Sequence, residues 1–186
     1  MVEENGYPWM VYIYKFDREQ FGMDVADLDL PEICKKDSGS SLCGGSLIHP
    51  QYVLTAAHCV ACRTIEDTAV VIGEHNGVIN PFETDFVFLS SIHVYPDYNI
   101  DVHPDLKNNP NIALLKLEQA VTLGPKINVI CLPTDPSSLY EGNTMIVAGW
   151  GVTEDLKPSD KLKEAYVTVI PNEQCKNWHG YGFLKR

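Results

Sequence analysis

The chain has 186 residues, of which 45% are hydrophobic and 21% charged, and its formal net charge is −11. This composition is typical of an ordinary globular protein with one large domain or two small ones. The acidic balance argues against a nucleic-acid partner, because phosphate binding needs a basic face. A membrane partner is not expected either, because no apolar run is long enough to span a bilayer.

Six cysteines indicate an oxidising compartment. The N-terminal residues Met1 to Glu4 are acidic and precede no apolar segment of the kind found in export signals. A cysteine-rich domain without an export signal leads us to expect that the chain is cut at its N-terminal end.

Six short strands are predicted before residue 120. Each is β-branched or aromatic and is bounded by Gly, Pro, Asn or Asp. In chain order they are Trp9–Tyr14, Leu42–Ile48, Tyr52–Ala56, Thr68–Gly73, Phe86–Val94 and Ile112–Leu117. No convincing amphipathic helix is predicted in this region. Closing these strands into a barrel would remove their exposed edges.

The stretch Leu54–Cys59 passes from a β-favouring run into two alanines, a histidine and a cysteine. Such a turn of small residues lets a neutral imidazole lie against a packed wall with one nitrogen towards a cleft. Taken alone, His58 is most simply a histidine satisfied in a core. Upstream, Cys43–Ile48 offers a second cysteine and a strand. Together the two stretches resemble the chymotrypsin–trypsin family of serine proteases, and His58 falls where that family keeps its general base.

The resemblance extends from residue 7 to about residue 178, with matching motifs along the way. Pro8-Trp9 resembles the start of the family's first strand, and Val129–Pro133 its inter-barrel connection. Thr144–Gly151 resembles its Gly-Trp-Gly strand, and Leu162–Ile170 the strand that follows, with a short helix predicted to start at 172–175. The implied class is all-β: a trypsin-like double β-barrel, complete over residues 7–120 and partial over residues 121–186.

The family implies a histidine, an aspartate and a serine in that chain order. Its Asp-Ile-Ala-Leu-Leu motif reads Asn111–Leu115 here, so a carboxamide replaces the carboxylate. Asp101 and Asp105 precede this strand and are not expected to substitute. No Gly-Asp-Ser-Gly-Gly follows Cys175, so no nucleophile is assigned. A sequence error is the alternative explanation for Asn111 alone.

The segment Lys15–Leu42 is a long, polar and acidic insertion that contains Cys34. We expect a solvated loop, with a specificity-determining binding loop as the alternative. Within it, Asp37–Ser40 mimics part of a nucleophile motif. We reject this match because it precedes the histidine, lies in polar sequence and lacks the family's glycine context.

Two disulfide bonds are predicted around the histidine. Cys43 and Cys59 flank the turn, and Cys34 and Cys62 lie just outside them as a hypothetical nested bridge. The alternative is metal or redox chemistry at the Cys-x-x-Cys of Cys59 and Cys62. We disfavour it because no second such motif follows.

Two further cysteines match family positions whose partners lie elsewhere. In the family, a cysteine at the position of Cys131 often joins the domain to its pro-region. One at the position of Cys175 closes a loop with a later cysteine. Neither partner is found in this sequence, and this favours a fragment.

Gly73–Asn76 resembles the start of the family's calcium loop. Glu83 and Asp85 could contribute oxygen ligands, but Pro81 and Thr84 occupy the expected acidic positions. A plain surface loop is therefore the better prediction, and no metal or cofactor is assigned.

The resemblance implies a secreted endopeptidase that acts on protein substrates. The long insertion and Cys131 resemble clip-domain proteases of arthropod cascades, which have many inactive relatives. Since Asn111 replaces the aspartate and no nucleophile is found, we expect no peptide-bond hydrolysis from this chain. The alternative is a pseudoprotease that binds cascade proteins through the insertion.

Overall fold

The computed structural model describes residues 6–16, 34, 43–77, 84–102, 109–135 and 139–174. These residues form eight strands and a one-turn helix, and residues 172–174 are also helical. The elements are β1 Met10–Lys15, β2 Cys43–His49, β3 Tyr52–Thr55, α1 Ala57–Val60, β4 Thr68–Ile72, β5 Val87–Val94, β6 Ala113–Leu117, β7 Thr144–Gly149 and β8 Lys163–Thr168. The predicted all-β class is confirmed.

The first six strands close into an antiparallel barrel in the order β1-β2-β3-β6-β5-β4. The barrel closes where β1 pairs with β4, with Val11 opposite Ile72 and Lys15 opposite Thr68. Every edge of these strands is thereby paired, as the sequence pattern predicts. The observed ends of these six strands differ from the predicted ones by at most one residue. Most of the insertion Lys15–Leu42 and the motif Asp37–Ser40 lie outside the described residues.

The barrel core follows from alternation along the strands, because successive side chains point to opposite faces. On β6 the side chains of Ala113, Leu115 and Leu117 are buried, whereas Leu114 and Lys116 between them are partly exposed. Fully buried aliphatic residues from the other strands meet them: Val11, Leu47, Val53, Val70 and Leu89.

The remaining strands, β7 and β8, form a two-stranded antiparallel sheet with Thr144 opposite Thr168 and Gly149 opposite Lys163. The connection from β6 runs back along the barrel, where the Asn128 and Ile130 amides donate to the carbonyls of Pro8 and Leu47.

A loop of the barrel holds this second sheet. The carbonyl of His75 accepts hydrogen bonds from Trp150 Nε1 at 3.1 Å and from the Leu162 amide at 3.0 Å. The Gly77 amide donates to the Asp160 carbonyl at 2.9 Å. Trp150 and Leu162 are buried there. The loop over 73–76 lies at the surface, with Glu74 and Asn76 exposed, and its His75 carbonyl also binds another part of the chain.

No helix among the described residues is long and apolar enough to cross a membrane.

Candidate active site

His58 stands on α1, which begins directly after β3. Ala57, Cys59 and Val60 on the same turn are buried in the barrel core, so His58 is left on the exposed side. The small side chain of Ala57 lets this turn pack closely at the end of the barrel. Below it, the Thr55 hydroxyl donates to the Gly44 carbonyl at 2.8 Å and ties β3 to β2.

Two disulfide bonds fix the turn on both sides. Cys43–Cys59 joins it to β2 with a Cα–Cα distance of 6.0 Å, and Cys34–Cys62 joins its far end to the insertion with 5.1 Å. These are the two pairs that the sequence analysis proposes. The Cys-x-x-Cys alternative is wrong, because Cys59 and Cys62 bond to different partners and offer no thiolate to a metal. His58, Cys43 and Cys59 lie close together. They are not a metal site either, because the two cysteines are bonded to each other.

Asn111 lies two residues before β6, at the same end of the barrel as α1. The register of β3 and β6 explains this position, because Thr55 pairs with Ala113. The Asn111 amide reaches back to His58. Its Oδ1 is 2.9 Å from the His58 backbone nitrogen, and its Nδ2 is 2.9 Å from His58 Nδ1.

The orientation of the Asn111 amide follows from the backbone contact. A backbone N–H can only donate, so the atom facing it must be the carbonyl oxygen, Oδ1. That oxygen also lies 3.1 Å from His58 Nδ1, slightly farther than Nδ2 does. On its other side, His58 Nε2 is 3.6 Å from Cys59 Sγ.

Two aspartates, Asp101 and Asp105, precede β6 in the sequence. Asp101 is exposed, and its amide donates to Asn99 Oδ1 at 2.9 Å. Asp105 and Cys175 lie outside the described residues. No hydrogen bond joins His58 to a serine within the described ranges.

Sequence reasoning missed the buried Asn109, whose side chain holds the loop next to Asn111. Its Oδ1 accepts from the Asn99 amide at 2.7 Å, and its Nδ2 donates to the carbonyls of Asn99 and Val102 at 3.0 Å. The prediction overlooked it because an asparagine in polar sequence gives no signal beyond that of a turn residue.

A cleft of about 350 Å³ lies beside the Cys43–Cys59 bond, between β2 and the Gly-Trp-Gly end of β7. Gly44 and Gly45 line one side, and Gly149 and Gly151 line the other. A Cβ on Gly151 would meet nothing within 4 Å, whereas a Cβ on Gly45 would lie 2.7 Å from Val53 Cγ1. The sequence identifies both glycine motifs but not that they face each other.

The family model described as "Trypsin" matches residues 4–184. The chain belongs to the trypsin family. Human trypsin-3 is 33% identical over 157 residues, which are 83% of this chain and 48% of that protein. The rat (Rattus norvegicus) chymotrypsin-like elastase family member 1 is 33% identical over 141 residues, 75% of this chain and 51% of that protein.

An ovochymase of Halocynthia roretzi is 34% identical over 142 residues, 76% of this chain but 9% of the ovochymase. The chain thus spans about half or less of the length of these curated relatives. A solved structure titled "Structure of GrC" superimposes with a TM-score of 0.72 at 25% identity, and the match covers 99% of this chain and 70% of that one. The predicted trypsin-like fold is confirmed.

Proposed function

We propose that this chain is the histidine-bearing part of a secreted, trypsin-like serine endopeptidase, and that these 186 residues alone do not hydrolyse peptide bonds. The observation that carries the second statement is the contact between the Asn111 amide and His58 Nδ1. Secretion is supported by the two disulfide bonds, which persist in oxidising compartments.

The amide of Asn111 favours the wrong tautomer of His58 for a general base. Two atoms of the amide lie within hydrogen-bond distance of His58 Nδ1, Nδ2 at 2.9 Å and Oδ1 at 3.1 Å. Because Oδ1 already accepts from the His58 backbone N–H, we infer that the Nδ2–H donates to Nδ1. A neutral imidazole that accepts at Nδ1 carries its proton on Nε2. Nε2 is then a donor and cannot take a proton from a serine hydroxyl.

The amide also carries no charge. A carboxylate at this position would stabilise the imidazolium that forms when the base takes up its proton. For serine proteases of this family it is already established that exchanging the aspartate for asparagine lowers kcat about 10⁴-fold. The 186 residues contain no Gly-Asp-Ser-Gly-Gly motif, so even the correct tautomer has no assigned nucleophile.

Nitrogen NMR of the histidine rings tests the tautomer. In the unaltered protein we expect the His58 proton on Nε2, and in Asn111→Asp we expect it on Nδ1, where a carboxylate can accept it. His49 is an internal reference, because its Nδ1 accepts from the Gln51 amide at 3.1 Å and does not depend on Asn111. A His58 proton on Nδ1 in the unaltered protein would contradict the proposal.

Activity is tested with a broad-range labelled protein substrate. We expect hydrolysis no faster than that of the His58→Ala variant, and Asn111→Asp alone is expected to restore none. Turnover by the unaltered chain clearly above the His58→Ala background would refute the claim of inactivity.

The second candidate is a pseudoprotease that binds proteins of an extracellular cascade through the insertion Lys15–Leu42. The favouring observation is the anchoring of the insertion, because Cys34 is buried and bonded to Cys62 just after α1. Replacing residues 17–33 by a short Gly-Ser linker should then abolish binding of a cascade protein while the monomer stays folded. Binding that survives this replacement excludes the insertion as the binding element.

A further inference from the structure

The barrel carries another histidine, His93, and this one is hydrogen-bonded to a serine. Ser91 Oγ lies 2.8 Å from His93 Nε2. Both residues stand on β5, two positions apart, so their side chains point to the same face of the strand. Ile92 between them packs against the barrel core, which leaves Ser91 and His93 on the outer face.

An irregularity in β5 places this pair outside. The register of β5 against β6 shifts between Leu89 and Ser91. Leu89 is buried and Ile92 packs inwards, three positions later instead of two. The extra residue of such a bulge re-aims the side chains that follow it.

A lysine lies opposite the serine. Ser91 pairs with Lys116 of β6, and directly opposite residues of an antiparallel pair share one face with Cβ atoms about 5 Å apart. An ammonium group on this face favours negative charge that develops at or beyond Ser91 Oγ. A hydroxyl, a hydrogen-bonded imidazole and a cation are therefore presented together on the outside of the barrel.

We propose that Ser91 is a nucleophilic serine that accepts an acyl or phosphonyl group from an activated ester or fluorophosphonate, with His93 as its base. Ser91 Oγ forms the new bond to carbon or phosphorus as its proton passes to His93 Nε2. The aryl oxide or fluoride departs with the electron pair of the bond that breaks, and the imidazolium releases its proton to water. A serine hydrogen-bonded to a base is the arrangement that nucleophilic catalysis requires.

The neighbouring Ser90 provides a matched control. It is exposed, but its hydroxyl faces the backbone carbonyls of Lys116 and Leu117, each at 3.3 Å. These carbonyls accept a hydrogen bond and cannot take up a proton. Two adjacent serines of one strand thus differ in whether a base is within reach.

The experiment treats the full chain with a biotinylated fluorophosphonate and maps the labelled peptide by mass spectrometry. We expect label on Ser91, none at this position in Ser91→Ala, and unchanged label in Ser90→Ala. His93→Gln should slow labelling about 100-fold, within the usual range for loss of a general base. The initial release of p-nitrophenolate from p-nitrophenyl acetate should follow the same order.

Absence of label on Ser91 in the unaltered chain overturns the proposal, and so does equal labelling of Ser90 and Ser91. Labelling of Ser91 at the same rate in His93→Gln removes the assigned role of His93 and also counts against it. Failure of the Ser91 proposal is distinguishable from failure of the proposed function. His58→Ala leaves Ser91 labelling unchanged here, whereas a His58-dependent reactive serine would contradict the claimed inactivity.

Discussion

The barrel and the β7–β8 sheet are made of similar residues but bury them to very different degrees. Leu47, Val53 and Leu115 of the barrel are 0% exposed. In the second sheet, Val147 is 52% exposed and Tyr166 70%. Both strand sets are rich in β-branched and aromatic residues, so composition does not explain the difference.

Closure explains it. In the barrel each strand has two paired neighbours, and one face of every strand looks into a shared interior. The described part of the second sheet has two strands, and exposed apolar side chains stand on both of its faces: Ile146 and Tyr166 on one, Val147 and Val167 on the other. A lone two-stranded sheet is marginal in water, so its contacts with the barrel carry much of its order.

Removal of the Cys43–Cys59 bond should weaken the barrel most. The two cysteines are 16 residues apart, and a loop of that size corresponds to about 3 kcal/mol of stabilisation. We expect the double variant Cys43→Ala/Cys59→Ala to lose about this free energy of unfolding in urea titrations. Cys131→Ala, which removes the exposed free thiol, is the control and should leave the midpoint unchanged.

One substitution made in both regions sharpens the contrast. Val53→Ala removes two methyl groups from a fully buried site and should cost about 2 kcal/mol. Val147→Ala removes the same groups from a side chain that is half exposed and should cost under about 1 kcal/mol. Chemical denaturation measures both variants. Equal losses would mean that Val147 is covered in solution.

Gly77→Ala tests the contact between the barrel loop at His75–Gly77 and the β7–β8 sheet. A Cβ there would lie 2.5 Å from the Ser159 carbonyl oxygen and 2.7 Å from Trp150 Cδ1, so the backbone must shift, at a cost of about 1–2 kcal/mol. Gly124→Ala is the matched control, because its Cβ would meet nothing within 4 Å. Tryptophan fluorescence should change in the first variant only. Identical spectra would show that Gly77 is not packed against Trp150.

The smallest expected effect concerns Tyr7, whose hydroxyl donates to the Glu164 carboxylate on β8. This hydrogen bond, together with burial and the negative charge, raises the pKa of Tyr7 to about 12. Because the pKa is raised in the folded state, the contact is intact below pH 10 and is lost as the pH rises through about 12.

Phenolate absorbance measures this titration, and Tyr7→Phe should remove one group that ionises late. Burial also raises the pKa of Tyr12 and Tyr98, so the difference between the two proteins isolates Tyr7. A difference curve centred near pH 10 would show that Tyr7 is not bound to Glu164.

The sequence was sufficient for the strands and for the meeting of His58 with Asn111. Period-two alternation is local, and the motifs around Cys43, His58 and Asn111 are those of a family whose fold brings them together. The orientation of the Asn111 amide could not be read from the sequence, because it depends on Oδ1 meeting the His58 backbone N–H. Sequence alone places Asn111 near the histidine but does not orient its amide.

The contacts between the barrel and the β7–β8 sheet also could not be predicted from the sequence. Tyr7 and Glu164 are 157 positions apart, and His75 and Trp150 are 75 apart. No local sequence pattern predicts either contact. The Ser91–His93 pair is different, because a serine and a histidine two positions apart on a predicted strand share a face. The sequence therefore indicates that the two side chains share a face. Only the register shift after Leu89 shows that this face is the outer one.

The carbonyl oxygen of His75 accepts from both Trp150 and Leu162, so these two hydrogen bonds depend on the placement of a single backbone atom. If the loop that carries this atom melts, both are lost at once, and with them the lateral support of β7 and β8. The barrel and the sheet should therefore lose their structure as one cooperative unit, with a single calorimetric peak in heating scans.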